Sequence, residues 1–324
     1  MEATLRLLPL LEPLRPEIEQ VQCLLGSLAA EADEPLQSML RHVLGGGKWL
    51  RSALVILVGQ VFAADAAPLC RLAAAVEVLH TATLVHDDIV DEAALRRGRE
   101  TLHTLWPTEV AVLVGDYLLA RSAALIASLD SPCLLGIFAQ MLCAVSAGEI
   151  EEALDRDQDH LQREDYYRHV GAKSAALFAA AAEMSGLLGG AEKAHIEALH
   201  RFGHELGLAF QIVDDVLDLV GSEAELGKPA GSDLRGGVAT LPTICYLEQA
   251  RDDTVVRRVL AGQRDPEHVR AAVQAVCSSG AIEMALAEAH AHARRGQEVL
   301  QLLPDNAARL ALSALARRAV ERSY

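Results

Sequence analysis

Residues 77–98 read EVLHTATLVHDDIVDEAALRRG, and this stretch indicates both a helical fold and an acidic binding site. Apolar residues recur at helical spacing before the acidic cluster, which predicts one long helix over about residues 67–92. A helix places Asp87 and Asp91, four residues apart, on one face, with Asp88 beside them. The same DD-x-x-D pattern returns in QIVDDVLDLV, residues 211–220, as Asp214, Asp215 and Asp218.

Both acidic sets stand where a negative charge is unfavourable. Each lies near the end of a predicted helix, where the helix dipole disfavours anions, and carboxylates packed this way repel one another unless a cation neutralises them. Mg²⁺ suits such sites, because it binds one or two carboxylates together with waters and phosphate oxygens. No EF-hand loop is present. The repeated pattern therefore predicts a magnesium site rather than a solvated acidic surface.

The rest of the chain also has a helical pattern. Aromatic residues make up only 4% of the 324 residues, and alanine and leucine dominate. We predict an all-α protein without a strand–turn–strand unit. The predicted helices cover residues 16–30, 35–44, 48–63, 67–92, 107–129, 132–155, 164–171, 172–189 and 192–220. A loop at 221–240 and shorter helices near Pro242, Pro266 and Pro304 complete the chain.

Composition excludes several functional classes. The net charge is 29 − 45 = −16, which argues against a nucleic-acid or anionic-membrane binder. The six cysteines show no paired spacing, so we expect free thiols that serve as small core residues in a reducing, cytoplasmic compartment. Residues 131–148 carry no charge, and we expect a buried core helix there rather than a transmembrane segment.

Short basic motifs lie beside glycines despite the acidic composition. GGKWLR, residues 46–51, places Lys48 and Arg51 in the first turn of a helix, a position that suits phosphate. It is not a P-loop, because His42 stands where the first glycine belongs and Trp49 follows the lysine. Other motifs carry Arg96, Arg97, Lys173, Ser174 and Lys228. Arginine and lysine hold diphosphates, so we predict one diphosphate bound through metal and a second bound directly by basic side chains.

Two polar residues share helix faces with the acidic sets. His80 lies seven residues before Asp87, and Gln211 lies four residues before Asp215. Each is either a ligand contact or a satisfied polar core residue. The sequence has no H-E-x-x-H, G-x-S-x-G or Rossmann motif, so hydrolase and dehydrogenase functions have no support.

Together, these motifs resemble the all-trans polyprenyl diphosphate synthases of the long-chain type. The shared segments, in order, are GGKWLR, EVLHTATLVHDDIVDEAALRRG, VLVGDYLLAR, GAKSAALF, AFQIVDDVLDLVG and GKPAGSDLRGGVATLP. The resemblance covers about residues 40–245, followed by C-terminal helices over 246–324. It implies one isoprenoid synthase helical domain over residues 1–324, built around a deep central cavity, and a homodimer. It also implies that isopentenyl diphosphate is condensed head-to-tail with an allylic prenyl diphosphate, with about two to three Mg²⁺ ions.

The resemblance assigns roles to individual positions. The isopentenyl diphosphate site is implied at Lys48, Arg51, His80 and Arg97. Contacts to the allylic diphosphate are implied at Arg96, Lys173, Ser174, Gln211 and Lys228. Metal ligands are implied at Asp87, Asp88, Asp91, Asp214 and Asp218. The catalytic group is implied to comprise Asp87, Asp88, Asp91, Lys173, Asp214 and Asp215.

Two positions depart from the family pattern. Ser174 stands where threonine is usual, which keeps the hydroxyl. Val238 stands where a second lysine is usual, in the run Gly237–Pro242. Loss of one charge-assisted contact costs roughly 1.5–3 kcal/mol if nothing replaces it, and Arg235 is close enough in sequence to substitute.

The mechanism and product length follow from the same resemblance. Metal ions and basic side chains stabilise the departing diphosphate, isopentenyl diphosphate attacks the allylic carbon, and the released diphosphate takes the proton. Thr83 and Ala82 precede Asp87 by four and five residues, or about 6–7.5 Å along a helix. Small residues here let the product grow, so we predict a long chain of about C30–C50. Alternatively, Ala82 is small only to pack against a neighbouring helix.

Three other functions compete with this one. A class I terpene cyclase also uses DD-x-x-D, but GGKWLR and the second acidic set count against it. A subunit of a two-component prenyl synthase usually lacks the acidic motifs, which this chain keeps, although Val238 leaves that alternative open. A purely structural helical scaffold would not need buried acidic pairs.

Overall fold

The computed structural model describes residues 12–47, 49–96, 98–156, 162–221, 230–250 and 253–321. The helices of the first half are α1 (Arg15–Ala30), α2 (Leu36–Val43), α3 (Leu50–Val61), α4 (Ala66–Val90), α5 (Leu102–Leu105), α6 (Thr108–Ala127) and α7 (Pro132–Asp155). Those of the second half are α8 (Arg163–Val170), α9 (Ala176–Leu188), α10 (Lys193–Val220), α11 (Ser232–Gly236), α12 (Leu241–Gln249), α13 (Val255–Leu260), α14 (Pro266–Cys277), α15 (Ala281–Val299) and α16 (Ala307–Val320).

The predicted helix boundaries agree closely with these elements. Local signals explain the ends: Ser131 caps α7 by accepting a hydrogen bond from the Leu134 backbone nitrogen, and Pro132 occupies its first turn. Asp265 caps α14 in the same way. The predicted helix over 172–189 begins instead as a π-helical turn, Gly171–Ala175, before α9 continues. Part of the predicted loop at 221–240 is the short helix α11.

The expectation that the chain has no strand–turn–strand unit is wrong. Leu95–Arg96 (β1) and Arg99–Glu100 (β2) form a small antiparallel hairpin, with Leu95 opposite Glu100. Gly98 has a φ of 74°, which only glycine adopts without strain, and so permits the tight turn. The strands are too short for an alternating pattern to appear in the sequence.

The helices enclose two clusters of buried apolar side chains. One is built mainly from α1–α4, α6, α7, α9 and α16, and the other from α8 and α11–α15. Helix α10 contributes to both. It approaches α9 and the π-turn closely because Gly203 and Gly207 lack side chains: a Cβ at Gly203 would lie 2.4 Å from the Phe178 carbonyl oxygen, and one at Gly207 would lie 2.6 Å from the Ala175 Cα. These contacts set the π-turn beside the acidic end of α10.

The expectation of a buried core helix at 131–148 is wrong for the single chain. Helices α4, α6 and α7 are each long and apolar enough to cross a membrane, but only 28% of the most apolar window of α7 is buried, against 61% for α4. The cysteine expectation also holds only in part. All six thiols are free, yet only Cys70 and Cys245 are buried.

Candidate active site

The first acidic set lies where α4 ends. Burial raises the pKa of Asp87, although the nearby Lys173 charge lowers it in part. Burial also raises the pKa of Asp88, against the effect of Arg96, whose Nε donates a hydrogen bond to Asp88 Oδ1. Asp91, the residue that caps α4, is exposed, and its carboxylate pairs with Arg156. One partly buried, one buried and one exposed carboxylate therefore lie within about one turn.

Lys173 stands at the centre of a second group of charges. Its Nζ lies 2.7 Å from Glu152 Oε2 and 3.0 Å from Glu149 Oε2, both on α7. Burial alone would lower the pKa of this lysine, but the carboxylates of Glu152, Asp87 and Glu149 raise it overall, so the ammonium stays charged. Burial in turn raises the pKa of Glu149 to about 7. The π-turn thus carries a fixed positive charge to the first acidic set.

A chain of hydrogen bonds joins the π-turn to the second acidic set. Ser174 Oγ donates to Gln211 Oε1 at 2.7 Å, and Gln211 Nε2 donates to Asp215 Oδ1 at 2.8 Å. The other Asp215 oxygen accepts a 2.6 Å hydrogen bond from the buried Tyr166 hydroxyl. Burial nevertheless raises the pKa of Asp215 to about 7. Gln211 is therefore a satisfied polar residue that also orients a predicted catalytic carboxylate.

The other two aspartates of the second set differ from Asp215. Asp214 is partly exposed. Asp218 is buried, and both of its carboxylate oxygens are already used: Ser232 Oγ donates to Oδ1, and the Asp233 backbone nitrogen donates to Oδ2 at 3.1 Å. Asp218 thereby holds the start of α11 against α10. A metal ion bound by Asp218 would share these oxygens with the two donors, because each carboxylate oxygen can accept from more than one group.

The β1–β2 hairpin holds the basic residues beside α4. His42 Nε2 donates a 2.7 Å hydrogen bond to the Glu100 carbonyl oxygen, so His42 Nδ1 accepts from Arg99 Nη2 at 3.1 Å. Arg99 Nη1 also donates to the His42 carbonyl oxygen at 3.2 Å. These bonds tie the hairpin to α2, just before the glycine turn of GGKWLR. Lys48, Arg97 and Lys228, three of the predicted diphosphate ligands, lie outside the described residues.

The remaining predicted residues lie along α3 and α4. The Arg51 guanidinium carbon sits 4.6 Å from the centre of the Phe178 ring, a cation–π contact that holds the arginine at the start of α3. His80 is partly buried on α4. Ala82 is fully buried, and the Thr83 hydroxyl donates to the His80 carbonyl oxygen at 2.9 Å.

A cavity of about 770 Å³ connects the acidic and basic groups. It is lined by the ends of α4 and α7, by α8 and the π-turn, by α10 and by the segment from α11 to Thr240. Predicted site residues in its wall are Asp91, Arg96, Lys173, Ser174, Gln211 and Asp215. A cavity of about 80 Å³ lies between α2, α4 and the hairpin, with Asp88 and Arg96 in its wall. Arg51, His80, Ala82 and Thr83 line neither cavity.

Sequence reasoning missed three residues of this site. Glu149 and Glu152 neutralise Lys173, and Tyr166 binds Asp215. A signal for the two glutamates was present, because GEIEEALD ends a long apolar helix with acidic residues, as both DD-x-x-D segments do. Tyr166 had no such signal, since its partner is brought to it by packing.

The oxygen-rich group suits Mg²⁺ in its chemistry. Within the described ranges, no three His, Cys, Asp or Glu side chains converge on a ready-made metal position. Arg96 and Arg156 instead occupy oxygens of Asp88 and Asp91. Asp87, Asp88 and Asp215 retain raised pKa values because desolvation outweighs the cations and donors around them, so they would accept further positive charge. Hard carboxylate oxygens are the ligands that Mg²⁺ prefers.

Comparison with known proteins agrees with this site. The family model described as Polyprenyl synthetase matches residues 33–276. The chain belongs to the polyprenyl synthetase family. It is 36% identical over 291 residues to heptaprenyl diphosphate synthase component 2 of Geobacillus stearothermophilus, and the aligned region covers 90% of this chain and 91% of that protein. It is 37% identical over 293 residues to an all-trans-nonaprenyl-diphosphate synthase (geranyl-diphosphate specific) of Rhodobacter capsulatus, covering 89% of each.

A solved structure extends the likeness to the whole fold. The polyprenyl synthase of Caulobacter crescentus, complexed with calcium and isoprenyl diphosphate, superposes with a TM-score of 0.92 at 35% identity, covering 97% of both chains. The family and the all-α isoprenoid synthase fold predicted from the sequence are therefore confirmed, and this polyprenyl synthetase is a prenyltransferase. The family uses Mg²⁺ together with isopentenyl and allylic diphosphates.

Proposed function

We propose that this polyprenyl synthetase makes a long-chain all-trans polyprenyl diphosphate from isopentenyl diphosphate and an allylic prenyl diphosphate. The observation that carries the proposal is that Lys173 and carboxylates of both DD-x-x-D sets line one cavity. Such a cavity offers one diphosphate both metal-binding oxygens and a fixed ammonium. The presence of the second acidic set favours this function over a class I terpene cyclase.

The residues divide between two substrates. Asp87, Asp88 and Asp91 would hold Mg²⁺ from one side, and Asp214 and Asp218 from the other, for about two to three ions. Arg96, Lys173, Ser174, Gln211 and Lys228 would hold the allylic diphosphate. Lys48, Arg51, His80 and Arg97 would hold isopentenyl diphosphate.

The proposed reaction requires stabilisation of the negative charge on the departing diphosphate more than it requires a strong base. When bound, Mg²⁺ would act as a Lewis acid on the departing diphosphate. Lys173 would add a positive charge that its three carboxylate neighbours keep protonated. Gln211 and Tyr166 would orient Asp215 without moving during the reaction. We propose that the released diphosphate takes the proton.

Product length would depend on the small residues below the first acidic set. Ala82 and Thr83 precede Asp87 by about 6–7.5 Å along α4. Ala82 is fully buried, so a larger side chain there would need space from its neighbours. We propose a product longer than C20, of about C30–C50, because both positions carry small side chains.

The exposed apolar face of α6 and α7 would bind a second copy of the chain. Leu113, Ile150 and Leu154 are exposed by 65%, 62% and 74%. A monomer rarely keeps such residues together in water, whereas a dimer interface buries them. A net charge of −16 argues against the alternative that this face binds an anionic membrane. We therefore propose a homodimer that works in the cytoplasm, with no transmembrane segment and no nucleic-acid partner.

A product assay tests the proposed function. The purified protein is incubated with Mg²⁺, isotopically labelled isopentenyl diphosphate and, in parallel, geranyl, farnesyl or geranylgeranyl diphosphate, and the products are sized after dephosphorylation. We expect a ladder of chains that ends at one long product. Conversion of primer to hydrocarbon or alcohol without incorporation of label would instead indicate a cyclase. No reaction with any primer would indicate a missing partner subunit.

A further inference from the structure

Arg156, the residue that caps the end of α7, is a cation that the sequence motifs do not include. Its side chain lines the 770 Å³ cavity and is 24% exposed. One nitrogen of the guanidinium binds Asp91 Oδ1, and Nη1 lies 3.5 Å from the Val90 carbonyl oxygen. Its Nε is buried without a hydrogen-bond partner among the described residues. A buried donor in a cavity wall is able to bind a ligand that enters the cavity.

The ion pair of Arg156 is easier to replace by a bound anion than the ion pairs of Arg96 and Lys173. Arg96 binds the buried Asp88, and Lys173 binds two partly buried glutamates. Among the described carboxylates, Arg156 pairs with Asp91 alone, whose side chain is 45% exposed. Ion pairs that involve an exposed carboxylate contribute little free energy, because water screens them. Of Arg96, Lys173 and Arg156, Arg156 is therefore the cation whose existing ion pair costs the least free energy to break when an anion binds.

The cavity wall also lacks a positive charge at one position. Val238 lines the same cavity in the run after α11 and brings no positive charge. Arg235 lines the cavity too, but it is exposed at its rim. Arg156 is the more buried of the two arginines, and the strength of a charge-assisted hydrogen bond grows as water is excluded.

We propose that Arg156 binds the diphosphate of the allylic substrate and supplies the positive charge that Val238 does not. It moves from Asp91 to the diphosphate when that carboxylate is taken by a divalent cation. A planar guanidinium with several donors matches two phosphate oxygens at once, and its unpartnered Nε provides one of those donors. This assignment rests on the proposed function and adds a residue to its allylic site.

Calorimetric titration with inorganic diphosphate and Mg²⁺ measures the contact without turnover. We compare the intact protein with Arg156→Gln and with Arg168→Gln. Arg168 is a matched control, because it is a half-exposed arginine that pairs with Glu151 and Asp165 and lies outside the cavity wall. Arg156→Gln should raise the Kd for diphosphate about ten- to hundredfold, and Arg168→Gln less than about twofold. Equal affinities for Arg156→Gln and the unmodified protein would overturn the assignment.

A rescue experiment separates binding from a structural role. If Arg156 has only the structural role of joining the ends of α7 and α4, a lysine at another position should not restore the lost diphosphate affinity. If it binds diphosphate, Arg156→Gln/Val238→Lys should recover most of the lost affinity, because the new ammonium enters the same cavity. Failure of this double variant to bind better than Arg156→Gln would count against the proposal. Thermal unfolding checks each variant, and Arg156→Lys replaces Arg156→Gln if the latter does not fold.

Steady-state kinetics distinguish this proposal from the proposed function. Arg156→Gln should raise the KM for the allylic diphosphate and leave the KM for isopentenyl diphosphate within about twofold. A rise in both constants, or in neither, would overturn the role of Arg156 while the synthase activity stands. If the unmodified protein makes no product from any primer, the proposed function fails, and the diphosphate titration still decides whether Arg156 binds the anion.

Discussion

The hydroxyl of Tyr166 donates a 2.6 Å hydrogen bond to Asp215, so a residue of α8 fixes one oxygen of the second acidic set on α10. Gln211 fixes the other oxygen at 2.8 Å. Despite these two donors, burial raises the pKa of Asp215 to about 7. The carboxylate is held in position, but its negative charge is not fully compensated by the protein itself. This is the state expected of a group that awaits a cation.

The raised pKa values predict how stability depends on pH. Asp215 and Glu149 keep protons in the folded chain up to about pH 7, whereas the unfolded chain releases them near pH 4. The folded state therefore binds more protons in this window, and its stability falls as pH rises from about 4 to 7. Urea unfolding in EDTA should show a loss of about 1–3 kcal/mol between pH 5 and pH 8. Asp215→Asn should reduce the slope by about half, because Glu149 still titrates in that variant, and an unchanged slope would contradict the assignment.

Lys173→Met should destabilise the metal-free protein, because it leaves Glu149, Glu152 and Asp87 without their common cation. Removing one partner of a fully buried ion pair costs about 3–5 kcal/mol, and because these side chains are only partly buried we expect a loss of about 1–3 kcal/mol. Glu149 is able to take up a proton, so the loss should be clearly larger at pH 8 than at pH 6. Urea unfolding at both pH values measures this. Lys193→Met removes an exposed lysine and should change stability by less than about 0.5 kcal/mol.

His42→Ala should loosen the β1–β2 hairpin. The variant removes the hydrogen bonds that the ring makes to Glu100 and Arg99, for a loss of about 1 kcal/mol. Amide hydrogen exchange over residues 95–100 should become about five- to tenfold faster. His290→Ala, on an exposed face of α15, serves as the control and should leave the exchange unchanged. Unchanged protection in His42→Ala would mean that the hairpin is held by other contacts.

Substitution at Ala82 tests control of product length. A series of Ala82→Val, Ala82→Leu and Ala82→Phe should shorten the final product stepwise, since each larger side chain fills more of the path below Asp87. Ala82 is fully buried, so overpacking should also cost about 1–3 kcal/mol. Products are sized by chromatography at a temperature where each variant is folded. If stability falls while product length stays constant, Ala82 packs against a neighbouring helix and does not limit growth.

The exposed face of α6 and α7 predicts a dimer that charge would disrupt. Ile150→Glu/Leu154→Glu should shift the protein from dimer to monomer, because like charges would meet across the interface. Light scattering after size exclusion measures the mass. Leu310→Glu, an equally exposed position on α16, should leave the dimer intact. A monomer in both variants and in the unmodified protein, with binding to neutral lipid vesicles, would assign this face to a membrane instead.

The helices and the identity of the acidic sets follow from local sequence. Apolar periodicity and local caps are properties of contiguous residues, so α7 was predicted at residues 132–155 as observed. The i, i+4 spacing of Asp87 and Asp91 likewise follows from helix geometry alone. The strands of the hairpin are two residues each, too short for any period to be visible.

The partners of these residues are set by the packing of distant segments against one another. Tyr166 and Asp215 are 49 positions apart, and Arg156 and Asp91 are 65 apart, so nothing local encodes either pair. The same holds for Asp218, whose DD-x-x-D position predicts a metal ligand, although both of its oxygens bind α11. The exposed face of α7 also could not be read from composition. An apolar stripe specifies that a surface will be buried, but packing decides whether the chain itself or another molecule covers it.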